Sequence, residues 1–310
     1  MRTGRLFIDN ADARETYGIF VVEGGYDDIV KWPNMKEPSF VNWPEEDGIE
    51  PDLLSTYLQP KGSIRLDVFC TTAPVGSDAF IAMLQSQSYH VFNFKEIGIT
   101  IPLRYKAVRS REAYGNFEKL TLEMAFDYSF LDDITPYEGT KVYLTFNSKK
   151  LVFNQNLLVF TAYDEGQGST VVIRKKNTGL LLDGEDIGER GILALEGTDE
   201  AITRPAPLKD NLIIKATGMK GQLYPDTIAV KDKRNVTIPL LLRAENPSLF
   251  WKAYLQLLDD ISSAGGHKLT WKGVEHKFYY QSQSITEFAK LGSNEIWCQF
   301  NLTVCFYEGD

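Results

Sequence analysis

The chain has 310 residues, a net charge of −9 and 43% hydrophobic residues. This length exceeds the usual size of one domain and suits two, each with enough apolar side chains for a core of its own. The acidic balance argues against a nucleic-acid-binding surface, because affinity for phosphates comes from Lys and Arg. Neither a membrane-helix run of about 20 apolar residues nor a signal-peptide pattern is present, so we expect a soluble protein made in the cytoplasm.

Two stretches of the sequence match each other without a gap. Residues 18–36 and 191–209 share glycines, apolar positions and a closing lysine. Such self-similarity is the signature of an internal repeat. The identical pairs are Gly18/Gly191, Ile19/Ile192, Glu23/Glu196, Gly24/Gly197, Ile29/Ile202 and Lys36/Lys209.

The first copy continues with an alternating strand over 63–69, a helix over Ser77–Gln87, a stretch beginning at His90 and a closing strand over 120–126. Alternation of polar and apolar residues is typical of half-buried strands. Ser77 or Asp78 is expected to cap the helix, whose apolar stripe includes Phe80 and Leu84.

The second copy repeats this order, with strands over 235–241 and 296–302 and a helix over Ser248–Ser262. Asn246 precedes a proline and suits the N-cap, and Gly265–Gly266 is expected to stop the helix. The pattern predicts a mainly β protein with one helix per repeat. We expect one domain over 1–135, a second over 178–310, and a strand-containing connector or β-arm over 136–177. In the connector, strands are expected at 142–146, 157–163 and 170–173, with a hairpin tip at 164–169.

The recurring glycines predict backbone that other residues cannot easily adopt. Gly18 and Gly191 precede the same short strand, and Gly24 and Gly197 follow it. Glycine at both ends of an element favours positive φ or a close approach of neighbouring atoms.

Residues that could carry chemistry are few. Cys70, Cys298 and Cys305 lie in apolar, strand-like runs that fit no zinc or redox motif, and we expect them to be buried. His90 and His267 are repeat-equivalent, which favours a role in the fold over catalysis. His276 beside Glu275 is weak support for a base or a metal ligand.

Other charged clusters resemble turns and edges more than sites. The acidic run over 183–189 has the composition of a calcium loop without its spacing, and its counterpart over 9–12 lacks the glycines. Solvated turns are the better interpretation. The short basic run Arg174–Lys176 suits a strand edge. We therefore predict no catalytic residue, no cofactor site, no metal site and no enzyme activity.

The opening of the chain resembles tail proteins of long-tailed bacteriophages. The resemblance is carried by Leu6–Asp9, by Tyr17–Val21 and by Trp43-Pro44-Glu45-Glu46-Asp47-Gly48. It is most similar to the distal tail protein, the ring that joins the tail tube to the baseplate. The order of strands and helix in each copy is also similar to the tail-tube fold of tube, distal-tail and hub proteins. The pattern extends over both copies, whereas identical residues concentrate in the first 70.

This resemblance implies tandem duplicated tail-tube-like domains of β-sandwich or split-barrel type. It implies a distal-tail or hub-like structural protein that forms a ring of three or six chains. Its partners would be other tail tube or baseplate proteins, with DNA passing through a channel without specific binding and with no membrane partner. The protein would lie in the host cytoplasm during assembly and then in the virion tail.

A duplicated carbohydrate- or ligand-binding β module is the alternative. Its support is a set of aromatic residues in loop-like positions, which could line a binding site: Trp32, Trp43, Tyr57 and Tyr114.

Overall fold

The computed structural model describes residues 4–72, 76–131, 178–210, 218, 220, 229–291 and 295–309, together with the backbone of short strands between 135 and 162. The described chain is mainly β, as predicted. We use "first half" for residues 1–135 and "second half" for residues 178–310.

The described residues of the first half, up to residue 131, form three helices and nine strands. The helices are α1 (Ala13–Tyr17), α2 (Asp27–Val30) and α3 (Gly76–Gln85). The strands are β1 (Leu6–Ile8), β2 (Ala11–Asp12), β3 (Ile19–Val21), β4 (Phe40–Val41), β5 (Glu50–Pro51), β6 (Gly62–Thr71), β7 (His90–Phe94), β8 (Ile99–Tyr114) and β9 (Phe117–Phe126).

Short strands follow between the halves. They are β10 (Thr135–Pro136), β11 (Thr140–Tyr143), β12 (Thr145–Phe146), β13 (Lys149–Lys150), β14 (Val152–Phe153), β15 (Asn156–Leu157) and β16 (Val159–Ala162). Strand β10 pairs with β8, and β11 pairs with β16. The strands expected at 142–146 and 157–163 thus overlap observed strands. The hairpin tip expected at 164–169 and the strand expected at 170–173 lie outside the described residues.

The second half contains a 3-10 helix (Ile187–Arg190), α4 (Thr198–Thr203) and α5 (Pro247–Ser262). Its strands are β17 (Leu180–Leu182), β18 (Glu185–Asp186), β19 (Ile192–Ala194), β20 (Arg234–Ala244), β21 (His267–Trp271), β22 (Val274–Leu291) and β23 (Glu295–Phe306).

The same strand order recurs in the two main sheets. The first sheet runs β2-β1-β7-β8-β9-β6-β3 and the second runs β18-β17-β21-β22-β23-β20-β19. All the named pairings are antiparallel. Each long hairpin carries an irregularity at the same place, between Tyr105 and Ala107 in β8 and between Tyr280 and Ser282 in β22. A β-bulge re-aims the strand that follows it, so the two sheets bend at matching positions.

The expectation of one helix per half was incomplete. Each half also has two short helical segments of four to six residues, before and after the strand that opens at Gly18 or Gly191. Such segments are too short for a hydrophobic stripe, which is the signal that identified α3 and α5.

The ends of the two long helices partly match the prediction. Asn246 caps α5 as predicted, accepting a hydrogen bond from the Leu249 N–H. The helix ends at Ser262, before the glycine pair. In contrast, α3 begins at Gly76, so Ser77 lies inside it and donates its hydroxyl to Glu118. Neither Ser77 nor Asp78 is therefore the N-cap.

The recurring glycines adopt the left-handed backbone that the sequence predicted. Gly18 has φ +70° and Gly191 φ +76°, and each ends the helical segment before it. Gly24 and Gly197, with φ +76° and +93°, follow the next strand. The left-handed region costs any residue with a Cβ, so these positions favour glycine.

We predict that Gly18→Ala destabilises the protein more than Gly24→Ala does. Both substitutions place a Cβ at positive φ, which costs about 1 kcal/mol. At Gly18 the new Cβ also collides with the Thr71 side chain, whereas at Gly24 the nearest atom is 3.7 Å away. Urea denaturation of both variants measures the difference. Equal losses would show that the Thr71 contact relaxes freely.

Candidate functional site: the interface between the two halves

The repeat-equivalent histidines hold matching turns together. His90 Nδ1 lies 2.5 Å from the Asp9 carboxylate, and His267 Nδ1 lies 2.9 Å from the Asp183 carboxylate. Both aspartates have φ +49° and also accept a backbone N–H from the strand they face. The pairs thus join the turn after the first strand of each half to β7 or β21, which is consistent with a role in the fold.

His276 and Glu275 do not converge. The His276 ring stacks on Phe306 at 4.7 Å with the planes 6° apart, whereas the Glu275 carboxylate pairs with the Lys268 ammonium at 2.8 Å. Within the described ranges, no group of three or more His, Cys, Asp or Glu side chains is placed to hold a metal ion. The same ranges contain no helix with the length and apolar content to cross a membrane.

The acidic turns do more than the sequence indicated. Asp12 accepts the N–H groups of Arg14 and Glu15 at the start of α1. Asp186 accepts the Gly188 N–H at the start of the 3-10 helix and also the Thr178 hydroxyl. Burial raises the pKa of Asp186, but its hydrogen bonds from Thr178, Gly188 and Gly179 outweigh burial, so the pKa is lowered. The interpretation of these clusters as merely solvated turns was therefore incomplete, because their aspartates cap helical segments and pair with the histidines.

The three cysteines are buried and free, as expected. Burial raises the pKa of Cys70 to about 11 and raises that of Cys298 further. A thiol reacts as its thiolate, so these positions favour packing over redox or nucleophilic chemistry.

A segment of the first half inserts into the second half. Trp32 follows α2 and is only 1% exposed. Its ring lies 4.7 Å from that of Tyr254 on α5, 5.4 Å from Phe300 on β23 and 6.1 Å from Tyr280 on β22. Aromatic pairs at these distances contribute about 0.5–1.5 kcal/mol each beyond the burial of apolar area. Trp32 therefore fills the space between the helix and the sheet of the second half.

Hydrogen bonds fix the chain on either side of Trp32. The Trp32 backbone N–H donates to Gln283 Oε1, and Gln283 Nε2 donates to the Tyr254 hydroxyl. Two phenols donate to backbone carbonyls of the first half, Tyr254 to Val30 at 3.1 Å and Tyr280 to Pro33 at 2.9 Å. A buried polar group is costly when it is unpaired, so these hydrogen bonds favour one position of residues 30–33 on the second half.

Trp251 completes the same interface from the helix side. Its indole N–H donates to the Ile97 carbonyl of the first half at 2.6 Å. Beside it, a Cβ on Gly98 would overlap the ring of Pro247. The start of α5 thus packs against the turn between β7 and β8.

A second contact uses the segment 43–48, which we call the clasp. The ammonium of Lys209 is buried and donates to the carbonyls of Trp43 and Glu46, both at 2.7 Å. The Gly48 N–H donates to the Lys231 carbonyl, and the Asp47 carboxylate accepts the Lys231 N–H. Hydrogen bonds to a charged group are stronger than neutral ones, so the clasp holds the first half to the second.

The face of the first sheet opposite α3 is charged but balanced. Glu123 accepts hydrogen bonds from Lys106 at 2.7 Å and from Arg109 at 2.9 Å, which with the Ser63 hydroxyl lower its pKa to about 2. Arg65 pairs with Asp67 on the same face. The corresponding positions of the second sheet include the neutral side chains Thr237, Asn301 and Thr303. Arg65, Lys106 and Arg109 of this face are thus paired with carboxylates.

The aromatic residues proposed for ligand binding do not share one site. Trp32 lies in a loop, as expected, but it is buried in the interface and does not line an open site. Trp43, Tyr57 and Tyr114 are about half exposed. Tyr57 lines an open groove of about 540 Å³ with Phe40, Lys36 and Asp52, whereas Tyr114 lies at the end of β8.

Comparison of the chain with protein-family models, with curated proteins and with solved structures gave no match.

We predict that Trp32→Ala lowers the free energy of unfolding by about 3–5 kcal/mol, the usual cost of emptying a buried aromatic site. Chemical denaturation measures this loss. Trp43→Ala is the matched control, since the Trp43 residue is 49% exposed and its side chain donates only its indole N–H, to Glu50. The substitution leaves in place the Trp43 carbonyl that accepts from Lys209. Its expected cost is under about 1 kcal/mol. Similar losses for both variants would contradict the role assigned to Trp32.

From the burial of Tyr254 in the interface, we predict that the stability of the fold decreases at alkaline pH. Burial raises the pKa of Tyr254 well above its ordinary value. Below a pH of about 10, the phenol is protonated in both the folded and the unfolded chain, and its stabilising contribution is complete. As the pH rises further, only the unfolded chain ionises, so this contribution is lost.

The natural protein and the Tyr254→Phe variant should therefore differ less in their free energy of unfolding at pH 11 than at pH 8. Urea denaturation at both pH values measures it. A difference that stays constant would show that Tyr254 ionises equally in the folded and unfolded chain.

Proposed function

We propose that the protein is a structural subunit of a long-tailed phage or prophage tail, in a distal-tail or hub-like ring that joins tail tube to baseplate. In this proposal the two halves are tandem copies of a tail-tube-like domain of sandwich or split-barrel type. A ring of three or six chains would then present six or twelve such domains. Its partners would be tail tube or baseplate proteins, in the host cytoplasm and then in the virion.

The observation that carries the proposal is the recurring sheet. Seven strands with the same order, the same pairings and the same bulge stand in each half. One half already packs on the other through Trp32 and the clasp. A protein whose halves recognise each other in this way suits an assembly in which such units repeat around an axis.

The sequence that resembles distal tail proteins has a structural task here. Trp43 and Glu46 of the clasp provide carbonyls for Lys209, and Gly48 sits where a Cβ would overlap the Tyr307 carbonyl. The motif therefore joins two β domains, a role consistent with a ring component and requiring no catalytic residue.

The paired charges of the first sheet also suit the proposal. Phosphates are attracted by unpaired Lys and Arg. A face where Arg65, Lys106 and Arg109 already have carboxylate partners would let DNA pass without holding it.

The groove beside Tyr57 supports a second candidate, a carbohydrate- or ligand-binding module. Phe40 and Tyr57 give it aromatic surface, and Asp52 and Lys36 give it polar groups. In that case a monomer would bind oligosaccharides, and Tyr57→Ala would abolish the binding without changing the oligomeric state.

We predict that the purified protein forms rings of three or six chains with a central opening. Negative-stain electron microscopy over a range of concentrations tests this directly. Monomers throughout that range would contradict the proposal. Retention of double-stranded DNA by the protein at physiological salt would contradict the proposed non-binding channel.

A further inference from the structure

The segment that inserts into the second half has an exposed counterpart. Pairing Ile29 with Ile202 and Lys36 with Lys209 sets residues 205–208 against residues 32–35. Both segments end in an equivalent isolated β-bridge, Met35 with Leu58 and Leu208 with Lys231. Trp32 is 1% and Met35 6% exposed, whereas Leu208 is 51% exposed. The second half therefore presents outward the segment that the first half buries.

The surface that receives residues 32–35 also has a counterpart. The Met35 N–H donates to the Gln281 carbonyl at the bulge of β22, between Tyr280 and Gln283, which are 0% and 2% exposed. The strand registers align Tyr280 with Tyr105, since these tyrosines pair with Val304 and Met124.

The same registers identify the rest of the receiving surface in the first half. Val108 corresponds to Gln283, because they pair with Leu122 and Leu302, and Lys106 corresponds to the bulged Gln281. Lys106 is exposed, whereas Tyr105 and Val108 are half-buried.

Where the inserted segment and the surface that receives it differ from their counterparts, the two changes are complementary. Trp32 donates its N–H to Gln283, but its counterpart Pro205 has no N–H, and the counterpart of Gln283 is Val108, which has no side-chain acceptor. A donor and its acceptor are thus replaced together. A proline facing a valine needs no hydrogen bond and avoids a buried unpaired group.

The other hydrogen bonds of the contact within the chain do not involve Trp32, and the equivalent residues can form them. Tyr280 donates its hydroxyl to the Pro33 carbonyl, and Tyr105 has a hydroxyl that can donate to the carbonyl of Ala206. The Met35 N–H to Gln281 bond involves backbone only, so Leu208 and Lys106 can form it as well. The prolines at 205 and 207 also limit the conformations that the free segment must give up on binding.

We propose that residues 205–208 of one chain dock on Tyr105, Val108 and the backbone of Lys106 in a second copy of this chain. The contact joins two different surfaces, so it is head-to-tail, and its repetition gives a closed ring or an open filament. This inference deepens the proposed function and rests on it, because it names the surfaces through which the ring forms.

Association is tested first with single substitutions on the full chain. Leu208→Asp and Val108→Asp should each weaken association by about tenfold or more in sedimentation velocity, because each puts a charge into an apolar contact. Leu54→Asp is the matched control, since Leu54 is 86% exposed and lies outside both surfaces. It should leave association unchanged.

The proposed contact itself is tested by introducing pairs of cysteines. The three natural cysteines are buried, so we expect them not to interfere. A mixture of Leu208→Cys and Lys106→Cys chains under mild oxidation should give a disulfide-linked heterodimer. Leu208→Cys with Val91→Cys is the control for random collision, since Val91 is also exposed. Met35→Cys with Gln281→Cys in one chain calibrates the geometry and should close within the chain.

The outcomes separate this inference from the proposed function. Weaker association only with Leu208→Asp and Val108→Asp, together with the heterodimer, would support it. Rings that survive both substitutions, or a heterodimer yield no greater than that of the Val91 control, would overturn the inference and leave the ring function standing. A natural protein that stays monomeric overturns both.

Discussion

The insertion of Trp32 between the helix and the sheet of the second half is the contact on which the rest of the structure depends. Trp32 lies in the first half of the sequence, but it is 1% exposed and is surrounded by Tyr254, Tyr280 and Phe300. It therefore belongs to the hydrophobic core of the second half. The second half would have a void at this place without it, and voids of this size are costly. Because the neighbouring backbone is held by Gln283 and the two phenols, the first half has one seating. The chain is thus better described as two similar sheets that share one hydrophobic cluster than as two independent domains joined by a linker.

The two halves share a frame and differ where they meet. The frame is set by the Asp–His pairs, by the left-handed glycines at the ends of the short helical segments and by the bulge in the long hairpin. The differences concentrate on the interface. Trp32 faces Gln283 within the chain, whereas their counterparts Pro205 and Val108 are accessible or half-buried. Our proposals use this contrast, since the equivalent of the surface used inside the chain is only partly buried among the described residues. The clasp adds a buried lysine, Lys209, whose charge is satisfied by backbone carbonyls of the other half.

Much of the fold could be predicted from the sequence, and the failures have physical causes. Alternating patterns identified β6, β9, β20 and β23, but the two longest strands, β8 and β22, were not predicted. The apolar stripe and Asn246 located α5. The glycines at 18 and 191 indicated their positive φ. The short helical segments were missed because four to six residues cannot display a helical period. Trp251 and Trp32 were missed as core residues because their partners, Ile97 and Tyr254, lie more than 150 residues away in the sequence. The interface was therefore invisible to local patterns. The repeat-equivalent lysines Lys36 and Lys209 are identical in the sequence, although one is exposed and the other is buried.

The central claim is that the interlocked halves behave as one cooperative unit. Differential scanning calorimetry of the full chain tests it most directly. Because each half contributes to the core of the other, we expect a single unfolding transition whose calorimetric and van't Hoff enthalpies agree. Two resolved transitions, each with the enthalpy of about half the chain, would contradict the account, since they would show that each half is stable without the insertion of Trp32.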